Sequence, residues 1–477
     1  MRILYLSIGM ASPLNLSLEL SRRLVAAGHE MVYASHADIE NIVRDHGHDF
    51  VRLRALGSDE STSSRASWRA LAERRRARRV SIEDDEPIRL LDEIRPDRVL
   101  ADIEMHVAIL KIAGPAAERG IPLLLTMAFF SVHRAPGRPP LHTPHVPATT
   151  LLARLYMQWL WLRLRLETLH FEWRERLARF KSLDLWPPIG YTCFAVGDLR
   201  AVARAHAFPL RRETSRSQWL RPFMYTRLPV LCLNHHALDW PSEPPGNVHY
   251  VGAMVMTEPP AGRREVATGL DESTRARLEA FLDADADQPL VYASLGSFWS
   301  ADLDLLRAII CVFERRREWR LVLGLGGQLE PSALGSLPGR FPEAKRRMPG
   351  NVLALGWAPQ VELLTRADAA IVHGGVATLN ECARLGVPML VYSTGFVEQD
   401  GNAARIGHHG LGLVAEKTPD IGISKHIESL LGRLLDDDAM RERLQAVQRE
   451  LMAEEERGVA VRLVEEAVAN AGEVSTP

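Results

Sequence analysis

The chain has 477 residues, 46% hydrophobic and 25% charged, with 33 glycines and 29 prolines. At roughly 100–200 residues per domain this length implies two domains, and the composition excludes a disordered, collagen-like or disulfide-dense class. Lys plus Arg number 58 against 60 Asp plus Glu, a net charge of −2, so the chain lacks the basic surplus of a dedicated nucleic-acid binder.

Arg2–Ser7 is a compact apolar run of strand length. Gly9 then turns the chain, and Ser12-Pro13 supplies an N-cap and a first helical residue for a helix from Leu14 to Ala27, with Gly28 as its stop. Glu30–Ser35 is the next strand. The same rhythm returns at Arg98–Ala101, Val107–Glu118 and Pro122–Thr126. It indicates a parallel sheet covered on both faces. Between them, Arg65–Arg79 holds seven arginines and one glutamate, a solvated segment or a contact for an anionic membrane surface.

Pro136–Pro147 is a Pro- and His-rich loop, and a long helix follows over Leu151–Phe180. It sets Trp159, Trp161 and Trp173 among leucines, with Arg163, Arg165 and Arg174 interspersed. Either it packs on the first domain with its tryptophans filling core volume, or it lies at a membrane interface. The linker is expected at 246–262, rich in Pro and Gly, between domains 1–245 and 263–477. Beyond it, Leu290–Leu295, Arg320–Leu325, Asn351–Leu355 and Ala369–Val372 are strands, Leu303–Arg315 is a helix, and Asp436–Ala471 is charged and helical. The fold class is α/β: two doubly wound domains facing a cleft. Cys193, Cys232, Cys311 and Cys382 form no C-x-x-C pair. With no signal-peptide core after Met1 and no run of roughly 20 apolar residues, a cytosolic protein with reduced thiols is expected.

The chemistry concentrates in the second half. A buried strand runs into His373-Gly374-Gly375, and a helix starts at Val376 and stops at Gly386. Two glycines before a helix N-terminus suit an anion, above all phosphate, although a Gly-Gly turn also occurs without a ligand. Thr378 and Glu381 share a face of the first turns. Trp357-Ala358-Pro359-Gln360 lies upstream; Gly386-Val387-Pro388-Met389, Glu398-Gln399 and Asn402–Arg405 lie downstream. Gly324–Gly327 also follows a strand but alone reads as a turn.

Together these segments resemble the donor signature of the UDP-glycosyltransferase family in its bacterial, natural-product form. The resemblance implies a GT-B fold, with the acceptor on the first domain and a UDP- or TDP-sugar on the second. By that resemblance Trp357 stacks on the base, Gln360 contacts the nucleoside and Glu381 holds the ribose. His373, Gly375, Thr378 and Ser297 hold the diphosphate, Glu398 and Gln399 hold the sugar, and Gly9, Ala358, Val376 and Ala377 complete the donor set. Met10, Phe129, Phe130, His133 and Trp159 are expected around a lipophilic small-molecule acceptor, over which the tryptophan-rich helix would form a lid. No cofactor or metal is implied, since a helix dipole, amides and His373 stabilise the departing diphosphate. The D-x-D run Asp283, Asp285, Asp287 precedes its strand and reads as a solvated turn.

One residue breaks the pattern. The family's Gly-His-x-x-Pro is here Gly9-Met10-Ala11-Ser12-Pro13, and a thioether takes no proton. Asp102, Glu104, His106 or His133 then serves as base, with Asp102 the working choice; or the acceptor is acidic enough, or an amine, and needs none; or the chain is a binding or auxiliary homologue. Losing a general base typically costs about 10²- to 10⁴-fold in rate. Epimerisation of a sugar nucleotide on the same fold is a further alternative.

Overall fold

The computed structural model describes residues 1–54, 85–181, 196–215, 224–257, 270–296, 303–327, 329–332, 334, 348–395, 398–415 and 422–467. The first half forms a seven-stranded sheet from β1 (Arg2–Leu6), β2 (Glu30–Ser35), β3 (Asp49–Arg52), β4 (Arg98–Asp102), β5 (Leu123–Met127), β8 (Val230–Cys232) and β9 (Val248–Tyr250), with a small hairpin, β6 (Thr214–Ser215) and β7 (Met224–Tyr225), beside it. Every pairing in the large sheet is parallel, in the order β3-β2-β1-β4-β5-β8-β9. The second half forms a six-stranded parallel sheet from β10 (Leu290–Ser294), β11 (Arg320–Gly324), β12 (Val352–Leu355), β13 (Ala369–Val372), β14 (Met389–Val391) and β15 (Gly412–Val414), ordered β12-β11-β10-β13-β14-β15. Strands buried on both faces read as continuous apolar runs, which is why their limits are visible in the sequence.

Eight helices matter below: α1 (Ala11–Ala26), α2 (His106–Glu118), α3 (Leu151–Lys181), α4 (Leu303–Arg315), α5 (Val376–Leu385), α6 (Gln399–His409), α7 (Asp438–Glu456) and α8 (Val459–Glu466). In each sheet the strand order reverses at one point, between β1 and β4 and between β10 and β13. Doubly wound sheets bind ligands at the carboxyl ends of the strands flanking such a point. Here those ends are Ser7–Met10 with Asp102–Glu104, and Leu295–Gly296 with His373–Gly375.

Three expectations are corrected. Helix α1 begins at Ala11, with Met10 as an N-cap whose side chain makes no capping bond. Pro13 sits inside its first turn, where the missing N–H has no intrahelical partner to lose. The linker assigned to 246–262 starts too early, because Val248–Tyr250 closes the first sheet; its residues from 258 on lie outside the described part. Finally, α8 returns to the first domain. Ala460 and Val464 share a core with Ile3, Tyr5 and Leu14, and Arg98 donates to the carbonyls of Val464 and Glu465 at 3.2 and 3.1 Å. No helix among the described residues is long and apolar enough to cross a membrane.

Candidate active site

On the second domain, β13 ends at Val372, His373 follows it directly, and α5 begins at Val376. The His373 imidazole lies between Gly296 and Gly375. A Cβ on Gly296 would come within 2.7 Å of its Cε1, and one on Gly375 would strike Nε2. Gly296 has φ +77° and Gly374 φ +90°, so the two turns flanking the ring need glycine for backbone reasons as well. Gly374 is clamped by Asn402, whose Nδ2 donates to its carbonyl at 2.9 Å. Burial pushes the imidazole down to about 4, with the Ser294 carbonyl partly opposing it, so the ring is neutral at pH 7. The free N–H groups of the first turn of α5 begin beside it.

Gln360 braces the next turn of α5. Its Nε2 donates to Thr378 Oγ1 at 3.2 Å and to the Glu381 carboxylate, and its Oε1 accepts from Tyr292 at 3.0 Å. Thr378 is therefore buried beneath Glu381, its oxygen already engaged by Gln360. Burial raises Glu381 to about 7, the bond from Gln360 partly opposing. Trp357 is half-exposed, its ring over Gly327, and Ala358 packs against Gly324. The Val376 side chain is buried and Ala377 is half-buried. Glu398 is half-buried and raised to about 7 by burial. Gln399 turns inward, accepting from Thr394 N at 3.1 Å and Oγ1 at 2.7 Å. The sequence brought these residues together but did not reveal the braces, Tyr292 and Thr394. Their one signal is a hydroxyl near the end of a buried strand. Ser297 lies outside the described residues, as does Arg65–Arg79.

On the first domain, Asp102 is not placed to take a proton. Its Oδ1 accepts from Tyr5 OH at 2.8 Å and Thr126 Oγ1 at 3.0 Å, and its Oδ2 from Ile8 N at 2.8 Å and Ser7 Oγ at 3.3 Å. The buried carboxylate anchors the Ser7–Met10 turn. Burial raises it and these donors lower it. Gly9 carries the turn at φ +75°, and a Cβ there would strike Ala37. Met10 is half-exposed. His106, at the start of α2, is buried against Tyr225, whose OH is 3.1 Å from Nδ1.

Glu104 is different. It sits half-buried in the turn after β4. Burial first, then the charge of Asp102 and that of Glu398 from the other domain, raises it to about 8. A carboxyl of the first domain is thus within electrostatic reach of a carboxyl of the second.

The expected acceptor residues divide. Phe129 and Phe130 are buried, and Phe130 lies under the guanidinium of Arg405, 5.0 Å from its ring centroid. His133 is locked by Ser131 at 2.8 Å and Ser242 at 3.4 Å, and burial holds it at about 4. Trp159 points outward, stacked on Tyr156, while Trp161, two residues on, faces inward because a helix advances about 100° per residue. Phe130, His133 and Trp159 are thus a domain-joint residue, a core residue and a surface residue.

The joint is built on Asp239. Arg138 of the first domain and Arg405 of α6 both reach it at 2.8 Å, and Tyr250 donates to it. Burial would raise Asp239, but Arg405 and Arg138 hold it far below the usual carboxylate range. Asn380 of α5 donates to Asn234 at 2.7 Å across the same boundary. Among the described residues, no group of three or more His, Cys, Asp or Glu could hold a metal ion. The Asp283–Asp287 run is exposed.

Residues 321–466 match the family described as erythromycin biosynthesis protein CIII-like, C-terminal domain. The oleandomycin glycosyltransferase of Streptomyces antibioticus is 24% identical over 265 residues, 54% of this chain and 58% of that one. The matched stretches span 33–58% of the length of three curated relatives. Among solved structures, the kitacinnamycin glycosyltransferase superposes with a TM-score of 0.59 at 21% identity, covering 97% of both chains. The glycosyltransferase VinC, solved with dTDP, gives 0.57 at 18% identity over 98% of this chain and 100% of that one. At such identities these likenesses establish the fold, two-domain GT-B.

Proposed function

We propose that this chain, which belongs to the natural-product UDP-glycosyltransferase family, transfers a hexose from a nucleotide sugar to a lipophilic small molecule with inversion at the anomeric carbon. The observation that carries this reading is the meeting of the two strand-order reversals. The His373 cradle and its helix N-terminus stand on one wall, and Glu104, in the turn after β4 and raised to about 8 by burial, by Asp102 and by Glu398, stands on the other. Trp357 and Glu381 suit the base and the ribose hydroxyls of a UDP donor. A TDP donor fits the same diphosphate cradle, and VinC was solved with that nucleotide.

In the reaction Glu104, ionised, takes the proton of an acceptor hydroxyl while its oxygen attacks the anomeric carbon. The bond from that carbon to the diphosphate breaks, and its electron pair leaves on the phosphate oxygen. First-turn amides of α5 and the neutral His373 N–H receive that charge. Glu104 thereby fills the role that Met10 vacates, from the next switch-point strand rather than from the α1 turn. Glu398, raised to about 7, both donates and accepts toward the sugar hydroxyls.

The test is a matrix of UDP- and TDP-sugars against alcohol, phenol, carboxylate and amine acceptors, read by mass spectrometry. One glycosyl increment on an acceptor, in strict dependence on donor, is expected. Tight donor binding without transfer to any acceptor would instead make the chain an auxiliary protein. A changed donor sugar in the absence of acceptor would make it an epimerase.

A further inference from the structure

Helix α3 has two apolar faces. Met157, Leu160, Trp161 and Leu164 are buried, and Trp161 Nε1 donates to the Arg138 carbonyl at 2.7 Å, so this face belongs to the first domain. On the opposite face Leu152, Leu155, Trp159, Leu162, Leu166 and Trp173 are each 50–80% exposed. With Leu169, which holds the remaining place in the sequence, they follow one another at intervals of 3, 4, 3, 4, 3 and 4 residues. That is the a/d spacing of a coiled-coil seam, sustained from Leu152 to Trp173. The inner face needs only part of the helix circumference, so among the described residues nothing in the packing calls for the outer heptad.

Three observations point to what covers it. The first is area. The exposed apolar residues between Leu151 and Trp173 present roughly 900 Å², taking free leucine, tyrosine and tryptophan at about 180, 210 and 250 Å². That is above the largest patch of an ordinary monomer and close to the roughly 800 Å² per partner of a stable interface. The second is the place of the polar groups. Arg163 and His170 are exposed directly after the d positions Leu162 and Leu169. Those positions flank a helix–helix seam, whereas a bilayer would have to accommodate their heads within its apolar contact. The third is charge. In an antiparallel pair with Trp159 opposite Leu162 of the other copy, Arg163 lies beside Tyr156 and Arg165 beside Gln158, so no like charges face. Sliding by one heptad sets Arg163 against itself.

We propose that this face pairs with the same face of a second copy of the chain, forming an antiparallel two-helix seam. The pairing is isologous, so it closes at two copies. The pairing is independent of the reaction proposed above.

Sedimentation velocity of the full chain at about 10 µM tests this. The wild type is expected at twice the chain mass, and Leu155→Glu/Leu162→Glu at the chain mass with an unchanged circular-dichroism spectrum, because both leucines are exposed in one copy. A wild type that sediments as a single chain overturns the proposal. So does a single chain that binds phosphatidylglycerol vesicles and loses that binding in the same variant, which would assign the face to a bilayer. Should the glutamate variant misfold, Trp159→Cys/Leu162→Cys gives an independent readout. Oxidation should link position 159 to position 162 between copies, as located by peptide mass spectrometry; links of 159 to 159 alone, or none, overturn the seam.

Discussion

Asp102 and Glu104 are two residues apart, yet their surroundings differ, and the proposed reaction gives them opposite duties. Asp102 has four donors on its carboxylate, whereas Glu104 is raised by burial and by the carboxyls of Asp102 and Glu398. Glu104→Gln is expected to lower kcat by about 10²- to 10⁴-fold with donor affinity unchanged by calorimetry. In the wild type, kcat/KM toward an alcohol should rise with pH up to about 8, where Glu104 becomes ionised; that limb should vanish in the variant. Asp102→Ala should act on stability instead. Leaving the Tyr5, Thr126 and Ile8 donors buried without an acceptor costs on the order of 3–5 kcal/mol, measurable by urea unfolding. Asp102 was legible as a polar residue at a strand end, but its saturation was not, because its partners come from β1 and β5, far away in the sequence. Glu104 and Glu398 meet only through the docking of two domains, and no local pattern carries that.

At the level of elements, the turn between β13 and α5 sets its geometry through what it lacks. His373 fills the space that Cβ atoms at positions 296 and 375 would occupy. Gly375→Ala is expected to displace the ring and weaken nucleotide-diphosphate binding about tenfold or more by calorimetry, while the apo fold survives, since position 375 has ordinary φ. Gly296→Ala adds a backbone penalty of about 1–2 kcal/mol at φ +77° and should lose stability too. Helix α4 and strand β13 have the limits expected from sequence, because a buried apolar run bounded by polar residues marks both ends. The start of α1 was misplaced because Ser12-Pro13 imitates a cap, and β9 was missed because three residues after a Pro-rich turn carry too little periodicity. Trp159 and Trp161 looked alike in sequence. Only the side of α3 that meets the first domain separates them.

For the whole molecule, the Asp239–Arg138–Arg405 cluster joins the domains through α6, whose first residue is Gln399. Arg405→Leu removes one partner of a buried ion pair and is expected to cost about 3–5 kcal/mol in denaturant unfolding, with the two domains unfolding at separate midpoints. Acid adds a second expectation. His48, His133 and His373 are held at about 4, chiefly by burial, against an ordinary 6.5. Between those values the unfolded chain binds more protons at these sites, so their contribution to stability is full above pH 6.5 and is lost on acidification toward pH 4. His133→Gln removes one share of that loss. The stability gap between wild type and variant should change with pH across 4–6.5 and level off on either side, as followed by thermal melts in matched buffers.

Among the described residues the chain passes between its domains twice, outward after β9 and back between α7 and α8, and Val464 of α8 seats in the first domain's core. A body hung from a single strand can swivel in any direction. One hung from two points can swing only about the line joining them, as a door does on its hinges. The α8 return thereby restricts any swing of one domain against the other to that single axis.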